Sequence, residues 1–182
     1  MIATRRLTAA DLALFELNID DYEILDGELR ERKSVGRLHG RVGFDLGLRV
    51  GNFVLARNLG ELYTSDTAFI IVREPLSVLR PDVAFVRSER LPTGDIESGF
   101  YAVVPELLVE VLSPGNRQAE ITTKIERYLR AGVALVWLVD PLARTIVVYS
   151  PGRDPMTIEE DSELDGDAIL PGFRLPLRDI FR

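Results

Sequence analysis

No cysteine occurs among the 182 residues. That absence excludes disulfides, thiolate metal sites and cysteine nucleophiles, and it agrees with a reducing compartment. The chain has a single histidine, His39, so any metal must be held by oxygen ligands with at most one imidazole. No segment approaches the roughly 20 consecutive apolar residues of a membrane span. The first 17 residues carry two arginines but no long apolar run ending in a small-residue cleavage site. The expectation is a cytoplasmic protein with no membrane partner. Also missing are a glycine fingerprint for a dinucleotide, a P-loop and a Gly-x-Ser-x-Gly elbow, which ranks a small-molecule enzyme on a doubly wound sheet last among the possible functions. There is no internal repeat and no low-complexity linker, so residues 1–182 read as one domain with one substantial core.

The chain has a formal net charge of −7. Such a balance argues against a polyanionic partner until the charges are located. Residues 154–167 contain Asp154, Glu159, Glu160, Asp161, Glu163, Asp165 and Asp167 and no lysine or arginine. This segment supplies the entire excess, and the remaining residues balance, so a basic groove elsewhere is allowed.

The pattern along the chain alternates strand and helix signals. Thr8 with Asp11 three residues later reads as the capping box of a short helix over 8–17. Tyr22 to Arg32 reads as a hairpin around Asp26-Gly27. Residues 34–58 are helical, with Val35, Leu38, His39, Val42, Leu46, Val50 and Phe53 on one stripe. Gly36, Gly40, Gly43 and Gly47 weaken that helix, so close packing on a sheet is expected to hold it. Strands follow at 61–64, 68–72 and 77–86, the last interrupted by Arg80-Pro81-Asp82; Pro81 has no N–H to give a ladder and marks an edge, entry or bulge. Residues 87–104 read as an exposed loop or short helix that could border a cleft. Strands at 135–139 and 145–149 come later, then a hairpin strand over 157–164 and an apolar tail. The architecture expected is α/β, or α+β by some schemes: a central mixed β-sheet flanked by helices, with an N-terminal β-hairpin.

The stretch from Pro105 to Pro141 carries the chemistry. It reads as a buried strand at 107–112, a helix at about 117–131 closed by Gly132, and a second strand, a βαβ unit with parallel strands. Glu110 lies in the middle of the first strand, where a lone carboxylate gains nothing from burial. Ile121, Lys124, Ile125, Tyr128 and Leu129 form the inward stripe of the helix, so Lys124 occupies a position meant for the core. An acid in the strand and a base on the facing helix make a pair. Asp82 stands at the break in a neighbouring strand. Two carboxylates of this kind suit a hard divalent cation such as Mg²⁺, which takes oxygen donors and keeps waters. With an ammonium beside them, the three groups point to phosphodiester hydrolysis. The same residues also admit a structural reading: Asp82 could cap a turn, Glu110 and Lys124 could be a buried ion pair, and the lysine stem could reach past the apolar face to water.

Arg80-Pro81-Asp82-Val83-Ala84-Phe85-Val86, Pro105 to Pro114, Lys124-Ile125-Glu126-Arg127-Tyr128, Ala131-Gly132-Val133 and Val136 to Pro141 together resemble the Uma-two family of restriction endonucleases, within the PD-(D/E)XK nuclease superfamily. The resemblance runs from the Asp26-Gly27-Glu28-Leu29 turn to the Phe173 region. It implies a restriction-endonuclease-like core and a Mg²⁺-dependent DNA endonuclease, with Mn²⁺ as a substitute. It implies Asp82 and Glu110 as catalytic, metal-holding acids and the carbonyl of Val111 as a further ligand. One position departs from the superfamily pattern: Leu112 stands where the lysine is expected. The resemblance implies that the adjacent helix supplies the lysine, and Lys124 has the fitting spacing. Glu28, His39 and Gln118 are second-rank site candidates. DNA is the implied partner, and a symmetric homodimer follows from resemblance alone. The competing reading is a nuclease-fold module without catalysis, acting in nucleic-acid binding or assembly, which the absent lysine at 112 and the acidic segment favour.

Overall fold

A computed structural model of the chain describes residues 5–12, 21–93 and 99–182. Its twelve strands are β1 (Tyr22–Leu25), β2 (Glu28–Glu31), β3 (Gly60–Thr64), β4 (Phe69–Arg73), β5 (Leu76–Leu79), β6 (Val83–Arg87), β7 (Leu107–Val111), β8 (Leu135–Asp140), β9 (Thr145–Tyr149), β10 (Met156–Ile158), β11 (Glu163–Asp165) and β12 (Arg174–Pro176). Among the described residues the two long helices are α1 (Arg37–Ala56) and α2 (Gln118–Ala131). A six-stranded sheet in the order β10-β9-β8-β7-β6-β3 forms the centre, a four-stranded sheet in the order β2-β1-β5-β4 lies beside it, and β11 pairs with β12 alone. Within the central sheet only β7 and β8 are parallel, the arrangement expected for strands joined through α2. The sheet is therefore mixed, as the sequence pattern predicts.

The alternation of strand side chains sorts the core into two layers. Val83, Phe85, Leu107, Val109, Val111 and Trp137 face α1, where Val42, Leu46, Val50 and Val54 supply the complementary stripe. The C-terminal residues Leu175, Leu177, Ile180 and Phe181 complete this layer. Trp137 is fully buried and stacked on Phe173 with ring centroids 5.9 Å apart; truncating an aromatic of this kind costs about 3–5 kcal/mol. Ala84, Val86, Leu108, Val136 and Leu138 face the other way and pack with Ile121, Ile125 and Tyr128 of α2. Leu25, Phe69, Ile71 and Leu79 of the smaller sheet join the same cluster. The helix α2 ends where Gly132 adopts φ 96°, a left-handed conformation that glycine takes without a steric cost.

Three expectations are corrected. The strand expected over 77–86 is two strands in two different sheets, β5 and β6; Arg80-Pro81-Asp82 is a crossover between sheets rather than a bulge within one. Proline ends pairing there because it has no N–H to extend the ladder. The segment 157–164 likewise divides, β10 pairing with β9 and β11 with β12. On α1 the inward stripe runs through Val54, while Val35 and Leu38, expected on it, are 53% and 38% exposed. Near the N-terminus, Asp11 accepts hydrogen bonds from the Thr8 amide and hydroxyl, and Ala9–Asp11 form a single 3-10 turn. The rest of the helix expected over 8–17 lies outside the described residues from 13 onward, as does the 94–98 part of the 87–104 loop.

Candidate metal and phosphodiester site

Antiparallel pairing puts the start of β6 and the end of β7 at the same end of the central sheet. The register aligns Val83 with Val109 and Ala84 with Leu108; continued by one residue, it sets Asp82 opposite Glu110. Asp82 Oδ2 accepts the Val111 amide at 2.7 Å, closing the strand end where Pro81 could not extend the ladder. The two acids thus sit together because one strand stops at the proline crossover while its neighbour continues past it.

Both helices reach this end of the sheet. From α1, His39 places Nε2 3.3 Å from Asp82 Oδ2. From α2, Lys124 Nζ lies 3.4 Å from Glu110 Oε1, and the Tyr128 hydroxyl donates to the same oxygen. Lys124 is 8% exposed, so the stem does not reach past the apolar face to open solvent.

The smaller sheet contributes an acid that the sequence pattern hides. Glu23, in β1, accepts Lys124 Nζ at 2.7 Å through Oε2 and the Arg80 amide at 2.7 Å through Oε1. In the sequence, a charged residue between Tyr22 and Ile24 has the pattern of the solvent face of a half-buried strand. Only the crossover of the chain from one sheet to the other turns that face inward. Arg127, one residue before Tyr128, grips Asp26 at the hairpin turn with two bonds of 2.6 and 2.7 Å, locking β1 and β2 against α2.

The electrostatics follow from burial. Removal from water pushes Glu110 up to about 7, with Glu23 and Asp82 adding to the effect and Lys124 opposing it. Burial acts to lower Lys124, but Glu110 and Glu23 overcome it and hold its ammonium well above the ordinary lysine range. His39 shows the same contest: burial lowers it, and Asp82 with Glu110 raises it further, so it rests above its usual value. Three carboxylates around one ammonium leave an excess of negative charge beside a cleft of about 250 Å³.

That cleft is lined by Glu23, His39, Asp82, Glu110, Val111 and Lys124 at its floor and by Arg30, Arg32, Lys33 and Arg117 among its rim residues. Glu31 and Glu120 also line it. Lys33 donates to the Gly115 carbonyl at 3.2 Å, tying the segment after β2 to the turn after β7. None of the acids of residues 154–167 lines the cleft, and several are taken up by arginines: Glu160 by Arg144, Asp167 by Arg153 and Asp165 by Arg174.

Of the candidates from sequence, Asp82, Glu110, Val111, Lys124 and His39 converge here. Glu28 does not: it is exposed on β2 and pairs with Arg30 and Arg6. Gln118 opens α2 but borders a separate shallow cavity of about 130 Å³ with Asp140 and Leu142. The site residues suit a hard cation in donor chemistry: carboxylate and carbonyl oxygens and an excess of negative charge. Among the described residues no group of three or more His, Asp and Glu side chains is arranged to hold a metal unaided. The fit is to an ion that takes two carboxylates and keeps most of its waters, the habit of Mg²⁺. Among the described residues no helix is long and apolar enough to cross a membrane.

No curated protein was found to match the sequence. Among solved structures, the chain is similar to a crystal structure of a putative nuclease belonging to DUF820 from Anabaena variabilis. The two share 19% identity over 96% of this chain and 97% of that one, with a TM-score of 0.83. At that identity the likeness establishes the fold alone, a mixed α/β core. A family model described as a putative restriction endonuclease matches residues 10–178, which spans the hairpin, both helices and the whole cleft, and the chain belongs to this Uma2 family.

Proposed function

We propose that the protein is a divalent-metal-dependent DNA endonuclease that hydrolyses phosphodiester bonds at the Asp82–Glu110 cleft. The observation that carries the reading is the convergence of Asp82, Glu110 and Lys124 from three elements on one cleft with arginines and a lysine at its rim. Asp82 and Glu110, with the Val111 carbonyl, are the residues that would hold Mg²⁺ or Mn²⁺. When bound there, the ion lowers the pKa of a coordinated water and offsets charge on the phosphorane-like transition state.

The chain's own groups have separable tasks. Lys124 keeps its proton at neutral pH, so it serves as a fixed positive charge for the phosphate oxygens rather than as a general base. Tyr128 holds the Glu110 carboxylate in one orientation. His39 steadies Asp82 from the opposite face of the sheet. Arg30, Arg32, Lys33 and Arg117 are placed to take the flanking phosphates of the DNA backbone.

The test is cleavage of circular and linear DNA by the purified protein with Mg²⁺ or Mn²⁺, comparing wild type with Asp82→Ala and Lys124→Ala. Cleavage is expected to need the cation and to fall by about 100-fold or more in each variant. Metal-dependent cleavage that survives both substitutions would remove these residues from the reaction.

One observation favours a second reading, a nucleic-acid-binding module without catalysis: Lys124 lies nearer Glu23 than Glu110, and one Glu110 oxygen already takes two donors. Calorimetric titration separates the two. A nuclease site binds Mn²⁺ in wild type and loses that binding in Asp82→Ala, whereas a closed ion-pair network binds none.

A further inference from the structure

Glu23 stands outside every motif in the sequence, yet it is the residue that fixes where the site's ammonium lies. Its side chain is 8% exposed and that of Lys124 is 10% exposed, so neither ion is solvated and each needs the other. The 2.7 Å contact to Glu23 is shorter than the 3.4 Å contact to Glu110. Lys124 therefore leans on the hairpin acid and only spans toward the strand acid. Oε1 of Glu23 is pinned by the Arg80 amide, the first residue of the crossover that ends in Asp82. Oε2 is consequently presented from a fixed place. The hairpin that carries it is itself fastened to α2 by the Asp26–Arg127 pair.

We propose that Glu23 is a positioning residue for Lys124: it holds the ammonium at the edge of the cleft, between hairpin and strand, where a phosphate bound beside Glu110 would meet it. This rests on the nuclease reading for its kinetic consequence but not for its structural one. Without the charge on Glu23 the lysine has one ion-pair partner left, Glu110, and its four-carbon stem is free to close on it or to swing into the cleft. Glu23→Gln keeps an acceptor for the Arg80 amide and removes only the charge that faces Lys124.

The chain contains two lysines, Lys33 and Lys124, which makes lysine labelling a two-site measurement. Brief treatment of the folded protein with acetic anhydride, read by peptide mass spectrometry, is expected to modify exposed Lys33 quickly and Lys124 slowly. In Glu23→Gln, Lys124 acylation rises severalfold while Lys33 is unchanged. Ile24→Val, a core substitution in the same strand that leaves the carboxylate in place, serves as the structural control and leaves Lys124 slow. In the cleavage assay Glu23→Gln lowers kcat by about tenfold with KM little altered, since the charge it places acts on the transition state. In a Lys124→Met background the same substitution changes kcat no further. Unchanged Lys124 labelling in Glu23→Gln, an equal rise in Ile24→Val, or an undiminished kcat effect without the lysine would each overturn the proposal. Should wild type cleave no DNA with either cation, the nuclease reading fails, and the labelling result still decides whether Glu23 holds the lysine.

Discussion

At the scale of single residues the site is a charge problem with an incomplete solution. Glu23, Asp82 and Glu110 surround the single ammonium of Lys124, and Glu110 is the group that yields: burial pushes it up to about 7 from an ordinary 4.5. The unfolded chain releases this proton near pH 4.5, whereas the folded protein keeps it until about 7, so the folded form binds more protons between the two. Its stabilising contribution is fully present below the lower value and is lost as pH rises through the upper one. In chelator, the unfolding free energy of wild type from urea denaturation should fall across this window relative to Glu110→Gln, by on the order of 3 kcal/mol. Equal slopes for the two proteins would show that Glu110 is ionised throughout.

At the scale of elements, α1 carries more glycine than its packing requires. Ideal Cβ atoms at Gly43 and Gly47 would meet Val111 and Val83 of the sheet at 3.8 and 3.4 Å, ordinary van der Waals contact, so these two glycines face the sheet but a methyl group would fit there. At Gly40 nothing lies within 4 Å. Gly40→Ala is therefore expected to raise stability by about 0.5 kcal/mol, through the lower entropy of the unfolded chain and better helix propensity, as measured by urea denaturation. A loss of stability there would mean that the position serves the cleft beside His39. The sequence expectation that close packing on a sheet holds this helix rests on its buried stripe of Val42, Leu46, Val50 and Val54 rather than on its glycines. The hairpin is the other element with a role beyond its own pairing. Its Asp26-Gly27 turn is legible from sequence, but its attachment to α2 through Arg127 joins residues 101 positions apart and leaves no local trace.

At the scale of the whole molecule, net charge misleads and its distribution informs. The protein is acidic, yet the excess lies in residues 154–167, away from the cleft and partly paired by Arg144, Arg153 and Arg174. The cleft rim holds Arg30, Arg32, Lys33 and Arg117. Binding to duplex DNA in chelator should accordingly weaken with salt, and Arg117→Gln should reduce the slope of log K against log salt by about 0.9, the value for one lost phosphate contact. An unchanged slope would place the DNA path elsewhere.

The sequence by itself determined the mixed sheet, the βαβ unit, both long helices, and the placement of Glu110 and Lys124 at positions patterned for the core. Periodicity is a local property, and a charge that violates it is visible within one strand or one turn of helix. Tertiary structure alone decided that the chain leaves one sheet for another at Pro81, so that Asp82 reaches Glu110 while Glu28 and Gln118 remain outside the cleft. It also decided that the solvent-patterned face of β1 turns inward and brings Glu23 to Lys124. Alternation along a strand tells which side chains share a face, but only the packing of a second sheet against α2 settles whether that face meets water.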